Sequence, residues 1–271
     1  MRIPKLKDDS YHATIRLHFN NVSKRTDMGS SAGMAALITG ANKGIGLEIA
    51  RQLGQAGLRI LIGARDPERG ARAARKLENE GIAARYVYID LTDPASAHRA
   101  ADDIGGREGA LKILVNNAGI SDPRDSSPAL AELDAVRRIV ETNFLGTLSV
   151  AQAMLPLLRK GRPARIINLS SGLGSLTLNG DPDWEHADYK LIGYSASKAA
   201  VNMLTVQLAA ELKDAGILVN AADPGFTATD LNGYQGRQTI PQGAVEAVRL
   251  ALSEDDGETG GYFAADGRLP W

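Results

Sequence analysis

The segment that most constrains the fold is TGANKGIG, residues 39–46, because of what stands on either side of it. It follows the apolar run AALIT (35–39) and leads into an amphipathic helical pattern, LEIARQLGQAG. A glycine-rich turn from a buried strand into a helix is the first corner of an open α/β sheet. Gly40 permits the tight turn, Gly44 lets backbone come close to a bound group, and Gly46 lets the helix pack closely on the strand.

The rest of the chain keeps this rhythm. Further apolar runs stand at 58–63, 84–89, 111–116, 164–170 and 217–222, with a last short one near Gly261–Ala264. They show little of the two-residue alternation of a half-wet sheet, so they read as strands buried on both faces. Helical patterns such as ERGARAARKLENEG lie between them, each ended by a glycine suited to a helix C-cap. Alternation at about 25-residue spacing predicts a doubly wound α/β fold of Rossmann type: a parallel sheet of about seven strands with helices on both faces. No linker or repeat interrupts residues 34–271, which read as one domain. Residues 1–33 are polar and mixed in charge and read as a flexible extension, or as a start placed upstream of Met28 or Met34. Two stretches break the rhythm, Gly172–Ile192 and Asp230–Pro241. Each follows a strand at its carboxyl end, where ligands sit in such sheets, so they are expected to be substrate-binding loops.

Composition narrows the classes of function. The net charge is −1, so no basic excess points to nucleic acid or to an anionic membrane, and a small molecule is the expected partner. There is no cysteine, which excludes disulfides, zinc–thiolate sites and thiol nucleophiles. No apolar run approaches the roughly 18–20 residues that span a bilayer, and the first residues lack the apolar core of a secretory signal. Asp8, Asp9 and Asp27 count against a transit peptide, so the cytoplasm is the expected compartment. Of the four histidines, His12 and His18 lie in the extension, and His186 stands near Asp183 and Glu185; with no second histidine nearby and no cysteine, no metal site is expected.

A strand, a glycine loop and a helix start in this order suit a dinucleotide pyrophosphate, which meets unpaired N–H groups and the positive end of the helix dipole. The form of the dinucleotide is read at the end of the second strand, IGARD. Where an acid would accept a bond from a ribose 2′-hydroxyl stands Ala64; Arg65 follows, and Lys43 lies in the glycine loop. Two cations and no acid favour the 2′-phosphate of NADP(H), at about 1.5–3 kcal/mol per charge-assisted bond. Asp66 could bond the ribose instead, but Pro67 after it marks it as a helix cap.

YSASK sets Tyr194 and Lys198 four residues apart at the start of a helical pattern running to about Ala215, so both lie on one face. Upstream, Ser170 and Ser171 end a strand. Adding hydride to a carbonyl leaves negative charge on oxygen, which an acid must neutralise and a donor must hold. In the reverse direction a phenol of pKa near ~10 is a poor acceptor of protons at neutral pH. Lowering it by about three units takes roughly 4 kcal/mol, which one cation at ~4 Å and an effective dielectric of ~20 supplies. Lys198 is expected to do this, aided by oxidised nicotinamide.

Together these motifs resemble the short-chain dehydrogenase/reductase family, in its single-domain branch with a TGxxxGxG loop. The resemblance runs from Met34 to Trp271 and includes NNAG (116–119), ETNFLG around Asn143, NLSSG, and DPGFTATD (223–230). GANKGIGL and ARDPERG resemble the NADPH carbonyl reductases in particular. The resemblance implies a catalytic Ser171, Tyr194 and Lys198, with Asn143 supporting a water-linked proton relay. It implies cofactor contacts from Gly40, Asn42, Lys43, Gly44, Ile45, Gly46, Arg65, Asp90, Leu91, Asn117, Ala118, Gly119, Tyr194, Lys198, Pro224, Gly225, Thr227 and Thr229. One departure stands out: Ser171 and Tyr194 are 23 positions apart, more than in typical short members. The added loop carries Trp184, expected on the substrate wall, and it bears on helix pairing, so a homo-oligomer and a monomer both stay open. The function implied is reversible NADPH-dependent reduction of a ketone or aldehyde. The alternatives are a 3-oxoacyl-thioester reductase and a non-catalytic NADP-sensing protein.

Overall fold

The computed structural model describes residues 34–253 and 257–271. The expected N-terminal extension, residues 1–33, lies outside the described residues. The strands are β1 (Ala35–Thr39), β2 (Arg59–Ala64), β3 (Ala84–Tyr88), β4 (Ile113–Asn116), β5 (Ala164–Leu169), β6 (Ile217–Ala222), β7 (Tyr262–Ala264) and β8 (Gly267–Arg268). Among the described residues they form one sheet in the order β3-β2-β1-β4-β5-β6-β7-β8. All neighbours are parallel except β7 and β8. The expected seven strands are thus present, and an eighth, two residues long, turns back on the edge. β8 is too short and too polar to register as an apolar run.

The helices are α1 (Gly44–Gln55), α2 (Pro67–Asn79), α3 (Pro94–Arg107), α4 (Leu133–Val140), α5 (Gly146–Lys160), α6 (Leu176–Gly180), α7 (Ile192–Leu212) and α8 (Ile240–Ala251). A π-helical stretch, Glu141–Leu145, joins α4 to α5. The central strands bury both faces, and alternate residues feed two separate cores. Leu37, Leu61, Leu114 and Ile166 pack with Ile104, Leu157 and Leu208 of α3, α5 and α7. Ile38, Ile60, Ile62 and Val115 pack with Ile49, Leu77 and Val248 of α1, α2 and α8. This two-sided burial is why the strands read as continuous apolar runs.

Strand order reverses between β1 and β4, and the loops leaving these neighbours diverge to opposite faces, which opens a crevice at their carboxyl ends. Leu37 is fully buried in β1. Its replacement by alanine is expected to cost about 2–5 kcal/mol of stability in a denaturant titration, and a loss under 1 kcal/mol would mean the sheet does not close over it.

Candidate functional site

The glycine loop leaves β1 with Gly40 at φ +65 and Gly44 at φ +58, backbone that side chains rarely adopt. A Cβ on Gly46 would stand 2.4 Å from Asn117 Nδ2 and 2.8 Å from the Gly40 carbonyl, so the helix start can sit this close only as glycine. At Gly44 a Cβ would meet nothing within 4 Å: the loop faces open space there. Helices α2 and α3 are capped by the carboxylates of Asp66 and Asp93, whereas α1 has no side-chain cap and no acid in its first turn. Its first N–H groups therefore point into the crevice without a protein acceptor, as an anion site requires. These features fit a dinucleotide pyrophosphate.

Thr39 and Asn117 hold the loop in place. Asn117 Nδ2 donates to the Thr39 carbonyl at 2.8 Å, and Thr39 Oγ1 accepts from the amides of Asn117 and Ala118 at 3.1 Å. Asn116 lies deeper and donates to Asn168 across β4 and β5. The NNAG asparagines thus tie strands together while the backbone that follows them lines the crevice.

The crevice has a volume of about 650 Å³, within the range of small-molecule sites. Gly40, Asn42, Lys43, Gly44, Ile45, Gly46, Arg65, Asp90, Leu91, Asn117, Ala118, Gly119, Tyr194, Lys198, Pro224 and Thr229 all line it. Asn143, Ser171, Trp184, Gly225 and Thr227 do not. Thr227 is buried, and its hydroxyl donates to the Pro224 carbonyl at 2.8 Å, so it shapes the turn. Asp66 is the N-cap of α2, as expected, accepting from the Arg69 amide at 3.0 Å. Arg69, one turn beyond Arg65, also lines the crevice. Its signal was available in the sequence as an arginine four positions after Arg65. Lys43 is ion-paired with Asp230 of the loop after β6.

Tyr194 and Lys198 sit in the first two turns of α7, which has no cap of its own. A carboxylate from far away in sequence supplies one: the buried Asp125, in the loop after β4, accepts from the amides of Gly193 and Tyr194, both at 2.8 Å. Negative charge there also complements the helix dipole. Further along, Lys198 Nζ donates to the Leu169 carbonyl at 2.7 Å, and Ser170 Oγ bonds Asn202 at 2.6 Å. These ties fix the helix against the end of β5, where Ser171 reaches the Tyr194 hydroxyl. Asn143, in the π-helical stretch, spends its amide on Ile120 and on Ser197 of α7, at 2.8–3.0 Å.

In the chain alone, burial sets the direction in which both groups shift. Lys198 Nζ is 5.7 Å from the Tyr194 ring centre. Burial, with the nearby Asp223 carboxylate, pushes the Tyr194 phenol up to about 12 against the opposing Ser171 bond. Burial lowers the Lys198 ammonium to about 8 despite Asp223. Desolvation outweighs the pairing because both groups are enclosed. The arrangement holds a proton on tyrosine firmly and one on lysine loosely.

The loop between Ser171 and Tyr194 contains a 3-10 turn, Gly172–Gly174, and the short α6. Trp184 lies over Gly172, and its ring meets His186 edge-on at 5.3 Å; His186 in turn meets Tyr189 and Phe226 at 5.6 and 5.9 Å. Trp184, expected on the substrate wall, belongs to an aromatic cluster that joins the inserted loop to Phe226 in the turn after β6. Among the described residues no cluster of metal-ligating side chains occurs, and no helix is long and apolar enough to cross a membrane.

Comparison with known proteins agrees with this geometry. Residues 34–239 match the family described as short chain dehydrogenase. The chain is 36% identical to short-chain dehydrogenase anuI of Penicillium roqueforti, covering 85% of this chain and 93% of the relative. It is 31% identical to the NADPH carbonyl reductase 1 of Mus musculus, covering 89% of this chain and all of the relative. Among solved structures, the NADPH-bound carbonyl reductase from chicken fatty liver superposes with a TM-score of 0.78 at 28% identity, over 89% of this chain and 95% of that one.

Replacing Asp125 by alanine leaves two buried amides without acceptors. It is expected to lower stability by about 1–3 kcal/mol, read as a shifted urea midpoint at unchanged slope; an unshifted midpoint would show that α7 does not need this cap.

Proposed function

The chain belongs to the short-chain dehydrogenase/reductase family, and from that premise we propose that it reduces a ketone or aldehyde with NADPH, reversibly, through Ser171, Tyr194 and Lys198. One observation carries the reading: a half-buried Tyr194, reached by Ser171 and backed by Lys198, stands in the same crevice as an uncapped helix start behind a glycine loop.

Reduced nicotinamide, when bound, supplies the hydride to the carbonyl carbon. Tyr194 delivers its proton to the carbonyl oxygen as charge develops there. Ser171 donates to the same oxygen and holds it against the phenol. Lys198, with its proton loosened by burial, returns one to the tyrosine, and Asn143 keeps the ground beneath it in shape as the route of a water-linked relay. The alcohol product thus gains one hydride and one proton. Arg65, Lys43 and Arg69 would hold the 2′-phosphate; Asp90 and Leu91 would meet the adenine, and Asn117–Gly119 its ribose. Pro224 and Thr229 would border the nicotinamide, with Gly225 and Thr227 shaping their turn. A phenol that holds its proton suits reduction better than oxidation. The likeness to the mouse NADPH carbonyl reductase 1 supports a carbonyl compound as the substrate.

The thioester and NADP-sensing alternatives are weaker. A second cleft of about 670 Å³ is lined by Lys43, Arg51, Arg69, Arg72 and Lys76, the kind of basic groove an acyl carrier would use. It includes none of Ser171, Tyr194 or Lys198, so it offers no support for delivering a thioester to them. An intact Ser–Tyr–Lys set is not needed by a sensor.

NADPH oxidation against a carbonyl panel tests the reading. Tyr194→Phe is expected to lose at least about a hundredfold in kcat; full activity in that variant would refute the mechanism. Arg65→Ala is expected to weaken NADPH about tenfold or more while leaving NADH nearly unchanged. Equal losses for both cofactors would remove the 2′-phosphate argument.

A further inference from the structure

Asp223 directly follows β6, one residue before the crevice-lining Pro224, and its carboxylate is shared between the two loops that flank the site. Oδ2 accepts from the Gly172 amide at 2.9 Å, directly after Ser171. Oδ1 accepts from the Gly225 amide at 2.8 Å, in the turn where Gly225 takes φ +65. Its own amide donates to the Phe263 carbonyl of β7 at 2.7 Å, so the residue is anchored to the sheet while its side chain spans the loops. Trp184 closes over this junction: a Cβ on Gly172 would stand 3.0 Å from the Trp184 ring and 3.4 Å from Asp223 Oδ2.

The charged and titratable groups around the carboxylate come from three directions. His186 faces it from the inserted loop, Tyr194 and Lys198 from α7, and Tyr262 from β7. The Tyr262 hydroxyl, fully buried, lies beside both Asp223 and Ser170 without an aligned hydrogen bond to either. Resting on the reductase reading above, we propose that Asp223 is a positioning residue: its carboxylate fixes the Ser171 and Pro224–Gly225 turns relative to each other, and its negative charge keeps the Tyr194 phenol in the proton-donating form that favours reduction. Removing water from the junction makes a fixed charge act strongly on its neighbours. Burial pushes the Asp223 carboxyl itself up, and the Gly225 and Gly172 amides, His186 and Tyr262 offset part of that rise. The same charge raises both Tyr194 and Lys198, so it opposes phenolate and favours ammonium.

The test is an ultraviolet titration of the Tyr194 phenol, taken as each protein minus the same protein carrying Tyr194→Phe, in the full-length chain. In the wild type the midpoint is expected above the ordinary tyrosine value of ~10. Asp223→Asn keeps the shape and removes the charge, and is expected to lower the midpoint by about one unit. Asp223→Glu restores the charge and is expected to restore the midpoint. In the oxidation direction the pH at which kcat reaches half its alkaline plateau should fall by about one unit in Asp223→Asn. A lower plateau with an unmoved midpoint would overturn the proposal and leave a purely structural tie. Should Asp223→Asn fail to fold, a wild-type midpoint at or below ~10 overturns it alone. The phenol titration needs no turnover. Loss of the reductase reading, seen as an active Tyr194→Phe protein, therefore stays distinguishable from loss of this one.

Discussion

The N-terminus of α7 is where the structure is most constrained, and the chemistry of the crevice depends on that constraint. Gly193 and Tyr194 give their amides to a buried carboxylate 68 and 69 positions earlier in the chain. The Lys198 ammonium is committed to the carbonyl of Leu169, the last residue of β5, and Ser170 is bonded to Asn202. Asn168 and Thr205 add a further buried bond between the same strand and helix. Each of these groups would lose about 1–3 kcal/mol if left buried without its partner. The helix therefore has one seat, and the phenol at its start points at one place. A packing of apolar faces alone would have allowed the helix to slide or turn; directional bonds do not.

The opposite wall of the crevice is built on a contrast. The helices that follow β2 and β3 start under aspartate caps, and the one that follows β1 starts bare behind the glycine loop. The uncapped start is unfavourable for the protein alone and favourable once an anion is present, which is how a fold reserves a place for a phosphate group. Arg65 and Arg69 stand beyond it, and Lys43 is held by Asp230 across the crevice mouth. The charge at this end is positive and exposed, suited to selection of an anion. The charge at the other end is enclosed, suited to control of a proton.

Enclosure adds what reasoning from two residues leaves out. A lysine one turn from a tyrosine suggests an acidified phenol when the pair is treated as isolated charges in a medium of intermediate dielectric. In the folded chain the pair is surrounded by β5, α7 and the β6 loop, and desolvation moves the phenol up and the ammonium down. Asp223 adds to the first effect and opposes the second. None of this is visible at i and i+4, because the surrounding atoms come from residues tens of positions away.

Much of the fold was legible in the residues because it is encoded locally. The runs at 35–39 and 217–222 are strands at those bounds, Asp66 caps its helix, and the glycines of the first loop take the positive φ or close contacts that their positions demanded. Strand periodicity, caps and glycine conformation depend on neighbours a few positions apart, so one sequence suffices to read them. Tertiary structure alone decided that Asp125 would cap α7, that Asn143 would brace Ile120 and Ser197, that Trp184 would close on Gly172, and that Asp223 would join two loops. Such bonds are chosen by which chain segments the sheet order brings together, and a carboxylate or an amide in a loop carries no mark of its distant partner until the chain has folded around it.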